Sequence, residues 1–270
     1  MSSIELVVTD LDGTLWSYDT PDIPHPSAVA AWLELERRGI PVVVATGRRV
    51  ASTRAPLATV GLAPNAVVLN GALALDLASD ERYHWSHHDP LAAQHALGVF
   101  QAHGLDPCVY VDESEVDIYL TSTPATAPEH VAQFGVRARI AELDSIISDR
   151  SVLSLAAFGF DRSMLDEIAA ELDGRCETHI VPDMFSEHWG ITVTPVGLSK
   201  WSGVLASCER HDVDASRVLA IGDGVNDIEL LTHAAVGLAM ADGESVAQAA
   251  ADHIVPSVAD DGWSTILDFV

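Results

Sequence analysis

Four short apolar runs constrain the fold of this chain more than any other feature. They lie at residues 4–8, 41–45, 66–69 and 218–221. Each run is rich in Val, Ile or Leu and shows no alternation with polar residues, which is typical of a strand that is covered on both faces. Helical patterns follow at 26–38, 49–60, 200–211, 225–233 and 244–251, with a further strand at 235–239. Strands that alternate with helices predict an α/β fold with a doubly wound, mostly parallel, Rossmann-like core sheet.

The middle of the chain has a different pattern. Helices are predicted there at 88–103 and 162–172, and strands at 108–112, 117–122, 151–160, 176–182 and 191–195. The first two of these strands flank a short acidic turn and predict a hairpin. The pattern is that of an α+β domain, and we expect a cap domain at 87–193 inserted between two parts of the core domain, 1–86 and 194–270.

The charge of the chain excludes one class of partner. The chain has fourteen Lys and Arg side chains and forty Asp and Glu side chains, which gives a net charge of −26 at pH 7. Lys200 is the only lysine. Nucleic-acid binding requires patches of Lys and Arg, so we expect no nucleic-acid partner. An anionic substrate meets the same repulsion, and its site must supply local cations, a metal ion or backbone N–H groups.

The composition also bears on where the protein works. No apolar stretch approaches the roughly 18 residues of a membrane span, and the segment MSSIELVVTD lacks the basic start of a signal peptide. The three cysteines, Cys108, Cys176 and Cys208, are widely separated and odd in number. We therefore expect a cytoplasmic protein with reduced thiols and no membrane partner. The oligomeric state stays open.

Polar residues follow each of the four apolar runs directly. They are Asp10 and Asp12 after the first run, Thr46, Gly47 and Arg48 after the second, Asn70 after the third, and Asp223, Asn226 and Asp227 after the fourth. Because open parallel sheets bind ligands at the carboxyl ends of their strands, neighbouring strands would gather these residues into one site. Converging carboxylates repel one another. A Mg²⁺ ion removes that repulsion, since it binds a few carboxylate oxygens and leaves room for a substrate phosphate.

Lys200 is expected in the same site. It lies between a predicted strand and the predicted helix at 200–211. Its flexible stem can deliver a compact positive charge to a phosphoryl oxygen or to a nucleophile beside the metal ion.

Four motifs resemble those of the haloacid dehalogenase superfamily. They are DLDGTL (10–15), TGR (46–48), GLSK (197–200) and GDGVND (222–227). Their order and the insertion after the second motif resemble the Cof-type branch, sugar-phosphatase-like hydrolases with a class IIB cap. The likeness covers essentially the whole chain and implies a phosphoric monoester hydrolase with a Mg²⁺ cofactor. One departure is Trp201, which stands where the family commonly has Gly. We interpret it as packing on a helix surface, and the alternative is that it narrows the cleft.

The resemblance implies a nucleophile and a metal site. Asp10 would attack phosphorus, form an aspartyl-phosphate and bind Mg²⁺ through its other oxygen. Asp12 would protonate the leaving oxygen, then activate water, and would bind the metal through its backbone carbonyl. Asp223 would be the main further metal ligand, with Arg48 and Asn70 in supporting positions.

The resemblance also implies contacts to the phosphoryl group. Thr46, the Gly47 N–H and Asn226 would hold its oxygens. Lys200 would stabilise the charge on the phosphoryl group and on Asp10. Asp227 would orient Lys200 or a metal-bound water.

The inserted domain would act as a cap that excludes water and reads the leaving group. Candidate readers lie in the segment PDMFSEHWG (182–190). Within it, His188 and Trp189 have side chains that can bond to or stack on a sugar.

The resulting hypothesis is a Mg²⁺-dependent phosphatase of small phosphorylated metabolites, such as sugar phosphates. A phosphomutase of the same superfamily and a non-catalytic protein that binds a phosphorylated ligand are the alternatives. A dehalogenase is disfavoured because it has no need of an acid at Asp12. A transporting ATPase is excluded by the lack of membrane spans.

Overall fold

The computed structural model describes residues 4–183 and 186–270 of the chain. It divides into two compact units, one formed by Met1–Trp85 with Ser199–Val270 and the other by Ser86–Leu198. The second junction follows Leu198 and not residue 193, because the last strand of the second unit pairs within that unit as far as Pro195.

The first unit is built on one eight-stranded sheet. Its strands are β1 (Leu6–Thr9), β2 (Val42–Ala45), β3 (Asn65–Val68), β4 (Leu73–Asp76), β5 (Arg82–Trp85), β12 (Val218–Gly222), β13 (Val236–Met240) and β14 (His253–Val255). Its α-helices are α1 (Pro26–Arg37), α2 (Val50–Thr59), α7 (Lys200–His211), α8 (Ile228–His233) and α9 (Ser245–Ala250). Short 3₁₀ helices lie at Ala215–Arg217, Val225–Asp227, Val258–Asp260 and Gly262–Asp268.

The sheet of the first unit has the order β14-β13-β12-β1-β2-β3-β4-β5. The six strands from β14 to β3 pair in parallel, and β1 lies between β12 and β2, with Val7 opposite Leu219 and Val8 opposite Val43. This arrangement confirms the predicted α/β fold. The antiparallel strands β4 and β5, of four residues each, were not predicted, because β4 follows β3 after only the short Leu69–Gly71 turn and β5 (RYHW) is mostly polar or aromatic.

The apolar face of α7 packs against the sheet in the core of this unit. Trp201, Val204 and Cys208 lie in one buried cluster with side chains of β1, β2 and β12. Complete burial of an aliphatic side chain stabilises the fold by roughly 1.5–3 kcal/mol, so this cluster fixes the helix against the sheet. The interpretation of Trp201 as helix-surface packing agrees with its contacts, since its ring is buried in this cluster and stacks on His233 of α8 with centroids 5.8 Å apart.

The second unit has its own sheet and core. Its strands are β6 (Cys108–Tyr110), β7 (Ile118–Leu120), β8 (Ala138–Ile140), β9 (Ser154–Phe160), β10 (Cys176–Pro182) and β11 (Trp189–Pro195). Its helices are α3 (Pro90–Ala102), α4 (Pro128–Phe134), the 3₁₀ helix Gly135–Arg137, α5 (Leu143–Asp149) and α6 (Arg162–Leu172). The sheet order is β10-β11-β9-β6-β7-β8, and its pairs are antiparallel except for β7 with β8.

The predicted α+β character of the second unit follows from these elements. The hairpin β6–β7 is present, and α6 buries Leu165, Ile168 and Leu172 at helical spacing. The segment from α4 to α5 was missed because its two helices have only seven residues each, and β8 has three residues that are largely exposed. In the described parts of both units, no helix is long and apolar enough to cross a membrane.

Candidate active site

The carboxyl ends of four strands of the first unit are joined by backbone hydrogen bonds. The Asp10 N–H, which follows β1, donates to the Ile221 carbonyl of β12 at 3.0 Å. The Thr46 N–H, which follows β2, donates to Val67 of β3 at 2.9 Å. The residues after these strands therefore lie at one edge of the sheet, although they are far apart in the sequence.

Lys200 lies inside this group of strand ends. It is the first residue of α7, which Ser199 caps by accepting a hydrogen bond from the Ser202 N–H. The Lys200 Nζ lies 3.0 Å from Asp10 Oδ1 and donates to Asp227 Oδ1 at 2.7 Å. The side chain is buried, which by itself lowers the pKa of an ammonium group, but the two carboxylates outweigh burial and raise the pKa of Lys200. The site therefore contains a permanent positive charge.

Three carboxylates surround this charge. Asp10, Asp223 and Asp227 each offer an oxygen, and these oxygens lie within 4.8 Å of one another. Burial, and then the charge of Asp227, raises the pKa of Asp10 well above its usual value and that of Asp223 to about 7. Ionising Asp10 and Asp223 in this position is therefore unfavourable without a further cation. An all-oxygen donor set that needs positive charge fits a Mg²⁺ ion.

Asp227 differs from the other two acids in its partners. Its Oδ1 accepts from Lys200, and its Oδ2 accepts from the backbone N–H groups of Asp223 and Gly224, both at 3.0 Å. With both oxygens engaged, Asp227 holds Lys200 and the loop after β12 in place.

Asp223 is oriented by two hydroxyl groups that the sequence analysis did not identify. Thr14 Oγ1 donates to Asp223 Oδ1 at 2.9 Å, and Tyr18 Oη donates to Asp223 Oδ2 at 3.2 Å. Gly13 permits this approach, because its φ is +73° and a Cβ there would overlap the Asp223 carboxylate. Thr14 belongs to the DLDGTL motif and was available to sequence reasoning. Tyr18 is 61% exposed and carries no signal in the sequence.

The Asp12 side chain lies outside the group of three acids. It accepts two hydrogen bonds from the Arg48 guanidinium, to Oδ2 at 2.6 Å and to Oδ1 at 2.5 Å, and one from Trp16 Nε1 at 2.9 Å. Arg48 also donates to Asp22 Oδ1 and to the Ser52 carbonyl, and its guanidinium lies over the Trp16 ring. This network fixes the position of the Asp12 carboxylate.

The remaining predicted residues of the core form a polar group beside the acids. Thr46 is buried and its Oγ1 accepts from the Arg48 N–H at 3.2 Å. Asn226 Nδ2 donates to Asn70 Oδ1 at 3.2 Å. Gly47 lies close to the same amide, since a Cβ at Gly47 would be 3.1 Å from Asn70 Oδ1.

The two predicted specificity residues lie in the second unit. The Trp189 ring, in β11, is covered by the Arg162 guanidinium 4.9 Å from the ring centroid. His188 is half-exposed, with its Nδ1 3.5 Å from Asp161 Oδ1. Met184 and Phe185, in the same predicted segment, lie outside the described residues.

Sequence reasoning missed a second polar pair beside this segment. His130 Nε2 is bonded to the buried Asp183 carboxylate, and the His130 ring stacks on Phe158 with centroids 4.3 Å apart. Nothing in the sequence pairs these residues, because α4, which carries His130, was not predicted.

The model of the haloacid dehalogenase-like hydrolase family matches residues 7–267. Phosphoglycolate phosphatase of Methanopyrus kandleri is 25% identical over 270 residues, covering 97% of this chain and 95% of that protein. Pyridoxal phosphate phosphatase YbhA of Escherichia coli is 23% identical over 262 residues, covering 93% and 92%. Among solved structures, the HAD subclass IIB sugar phosphatase BT4131 has a TM-score of 0.79 at 23% identity, with 98% of each chain covered.

These similarities test the predicted family of the chain. The expected relation to the Cof-type branch is confirmed, and so is the prediction of an enzyme of the phosphatase type. Two of the phosphatases named above have different phosphorylated compounds in their names, phosphoglycolate and pyridoxal phosphate.

Proposed function

The chain belongs to the haloacid dehalogenase-like hydrolases, and from this premise we propose that it is a Mg²⁺-dependent phosphatase of small phosphorylated metabolites, foremost sugar phosphates. The observation that carries the proposal is the buried Lys200 ammonium, 3.0 Å from Asp10 Oδ1 and beside the acid group. A phosphoryl group is an anion that needs positive charge on several sides, and the chain supplies its sole lysine there.

The metal ion belongs to the same proposal. Asp10 and Asp223 would hold Mg²⁺ through carboxylate oxygens, and Asp12 would contribute its backbone carbonyl. When bound, the ion neutralises negative charge on the acids and on the phosphoryl oxygens. The raised pKa values of Asp10 and Asp223 support this assignment, because they show how unfavourable the ionised acids are alone.

We assign the role of nucleophile to Asp10. Its carboxylate oxygen forms a bond to phosphorus while the bond from phosphorus to the leaving oxygen breaks, which yields an aspartyl-phosphate. Water, which gives a proton to Asp12, then attacks this phosphorus, releases inorganic phosphate and restores the Asp10 carboxylate, so one difficult step becomes two easier ones. Lys200 stabilises the charge on the transferring group throughout.

Asp12 is the proposed proton donor, and its contacts set a condition on that role. Both of its oxygens accept hydrogen bonds from Arg48, so the group is held as an acceptor. To give a proton to the leaving oxygen, Asp12 must exchange the Arg48 contact for a contact to the substrate. Asp22, which also binds Arg48, offers the guanidinium a second partner during that exchange.

The phosphoryl oxygens would be bound by groups at the ends of β2 and β12. We assign this role to the Thr46 hydroxyl, the Gly47 N–H and the Asn226 amide, which lie together at one edge of the sheet. Arg48, Asn70 and Asp227 support them.

Recognition of the leaving group is assigned to the second unit. His188 and Trp189 remain the candidate residues, and a sugar is the class of leaving group that an indole and an imidazole suit. The three cysteines are free and buried, which supports the proposed cytoplasmic setting.

Phosphate release tests the proposal directly. The protein is assayed with p-nitrophenyl phosphate and about a hundred phosphorylated metabolites, with Mg²⁺ or with EDTA. We expect turnover that requires Mg²⁺ and that is lost in Asp10→Asn but kept in Asp19→Asn, which removes an exposed charge nearby. Absence of turnover, or normal turnover by Asp10→Asn, contradicts the proposal.

Two further readouts separate the alternatives. Conversion of a hexose 1-phosphate to the 6-phosphate without release of phosphate would identify a mutase. Calorimetric binding of a phosphorylated ligand with no hydrolysis over hours would identify a binding protein. For the phosphatase, rapid quenching and borohydride reduction should convert residue 10, and no other aspartate, to homoserine.

A further inference from the structure

The chain makes a left-handed turn directly after β3. Leu69 has φ 52°, Asn70 has φ 53° and Gly71 has φ 109°. Glycine adopts such angles freely, but in other residues Cβ comes too close to the backbone, so two successive non-glycine residues there are unusual. Leu69 and Asn70 are only 8% and 3% exposed. A conformation of this kind persists only where its surroundings impose it, and strained backbone concentrates at functional sites.

The backbone of the turn is bonded to the segment after β2. The Leu69 N–H donates to the Arg48 carbonyl at 2.9 Å, and the Asn70 N–H donates to the Thr46 carbonyl at 3.1 Å. The left-handed angles point both N–H groups at the same short segment. The turn therefore fixes the backbone on either side of Gly47, whose N–H is proposed to bind a phosphoryl oxygen.

The Asn70 side chain extends this connection to the segment after β12. Its Oδ1 accepts a hydrogen bond from Asn226 Nδ2 at 3.2 Å. An amide nitrogen has two hydrogens, so this bond orients the Asn226 amide and leaves its second N–H for a phosphoryl oxygen.

The end of the turn is in close contact with the helix that carries Lys200. A Cβ at Gly203 of α7 would lie 3.1 Å from Gly71 Cα and 3.2 Å from the Gly71 carbonyl oxygen. The helix therefore approaches the turn as closely as glycine allows. The turn thus contacts all three segments that present the proposed phosphate-binding groups.

We propose that the Leu69–Gly71 turn is the positioning element of the phosphate site, and that Asn70 is its positioning residue. This inference rests on the phosphatase function proposed above. Asn70 combines two properties that the site requires. Asparagine tolerates the left-handed region better than most residues, and its amide oxygen accepts from Asn226 without adding another negative charge. Glycine would keep the backbone angle and lose the acceptor.

This difference defines the experiment. Asn70→Gly keeps the turn and removes the amide, whereas Asn70→Ala also disfavours the backbone angle. The matched control is Asp212→Ala, which changes an exposed left-handed residue (φ 54°) at the end of α7, away from the strand ends. For each protein we measure the Tm, the Kd for inorganic phosphate by calorimetry with Mg²⁺ present, and kcat and KM for a turned-over substrate.

Asn70→Gly should weaken phosphate binding and raise KM by the same factor, about tenfold, which corresponds to one oriented hydrogen bond. Its kcat and Tm should change little, because the amide positions the phosphoryl group equally before and during the reaction. Asn70→Ala should weaken phosphate binding in the same way and should also lower the Tm, because alanine disfavours the left-handed backbone angle. Asp212→Ala should lower the Tm and leave the Kd for phosphate unchanged.

Several outcomes would overturn the inference. One is a folded Asn70→Gly protein that binds phosphate as the wild type does, and another is an equal loss of affinity in Asp212→Ala. If the wild type binds phosphate but turns over no metabolite, the phosphatase proposal fails while the inference is still judged by the phosphate Kd. If the wild type neither binds phosphate nor turns over substrate, both fail.

Discussion

The two sheets of the molecule gather functional residues in different ways. In the first unit, parallel strands end at the same edge, so Asp10, Thr46 and Asp223 meet although long segments separate them. In the second unit, most neighbouring strands are antiparallel, and the hairpins β6–β7 and β10–β11 pair residues that are close in the sequence. A parallel sheet therefore gathers distant motifs at one edge, whereas an antiparallel hairpin brings together residues on either side of one loop.

The two units also differ in how they bury charge. The first unit contains Lys200 beside Asp10, Asp223 and Asp227. Within the described residues, these three acids form the group that can hold a metal ion. In the second unit, the largely buried Asp117 is paired with Arg137 at 3.1 Å. The first unit thus places several acids around one lysine at its strand ends, where a substrate and a cation are expected, whereas Asp117 in the second unit has an arginine partner of its own.

Substitution of Asp10 should change kcat more than any other substitution, and the matching substitution in the second unit should leave kcat unchanged. Asp10→Asn should lower kcat by a factor on the order of 10⁴ or more, as for other covalent nucleophiles. Its Tm without metal should rise, because one of several buried acids becomes neutral. The counterpart in the second unit, Asp117→Asn, should lower the Tm and leave kcat unchanged. Equal effects of both changes in phosphate-release and melting assays would refute the contrast.

Removal of the lysine should affect both activity and stability. Lys200→Met should lower kcat by about 10²–10³, the range for losing one stabilising donor in a transition state. It should also reduce the free energy of unfolding by about 3–5 kcal/mol, because two buried carboxylates lose their partner. Lys200→Arg should restore some stability but little activity, since a planar guanidinium does not replace a compact ammonium. Denaturant titrations and steady-state kinetics measure both quantities.

The acids of the first unit should make Mg²⁺ binding depend on pH. Asp223 has a pKa of about 7 in the folded protein, and that of Asp10 is also raised, against about 3.9 in an unfolded chain. Between these values the folded state binds more protons, so stability without metal falls as the pH rises from about 4 through 7. Mg²⁺ competes with these protons. The increase in Tm on adding Mg²⁺ should therefore be larger at pH 8 than at pH 5, and an equal increase would contradict the assignment.

The second unit should show a smaller pH effect of opposite sign. Burial lowers the pKa of His88, whose Nε2 is 3.2 Å from the Val193 carbonyl. Its contribution to stability is complete above the unfolded value of about 6.5 and is lost as the pH falls through the lower folded value. Hydrogen exchange in Ser86–Leu198 should accelerate, after correction for intrinsic rates, between pH 7 and pH 5. His88→Gln should reduce that acceleration, and an unchanged pH response in this variant would rule out His88 as its source.

The elements that could be predicted from the sequence are those with a local residue pattern. The apolar runs predicted β1, β2, β3 and β12 to within two residues, and α7 begins at the residue expected because Ser199 provides its cap. The grouping of the polar residues after those strands into one site could also be predicted, since the carboxyl ends of parallel strands lie at the same edge of a sheet.

Features that depend on tertiary contacts were not accessible in this way. Nothing local indicates that Leu69 adopts a left-handed angle, that Tyr18 donates to Asp223, or that Arg48 binds Asp12. The same holds for β8, whose exposed residues form a strand only because β7 offers a free edge. In each case the partner across space, and not the neighbouring sequence, determines the conformation.

The presence of a single lysine allows a direct test of the central claim, that the strand ends hold an ammonium group against the transferring phosphoryl group. Protein labelled with ¹⁵N only in lysine should give one side-chain ammonium signal, that of Lys200. We predict that this signal shifts when orthovanadate, a mimic of the transferring phosphoryl group, is added with Mg²⁺, and that the shift is lost in Asp10→Asn. A Lys200 signal that does not respond to orthovanadate, in protein that hydrolyses phosphate esters, would contradict the account.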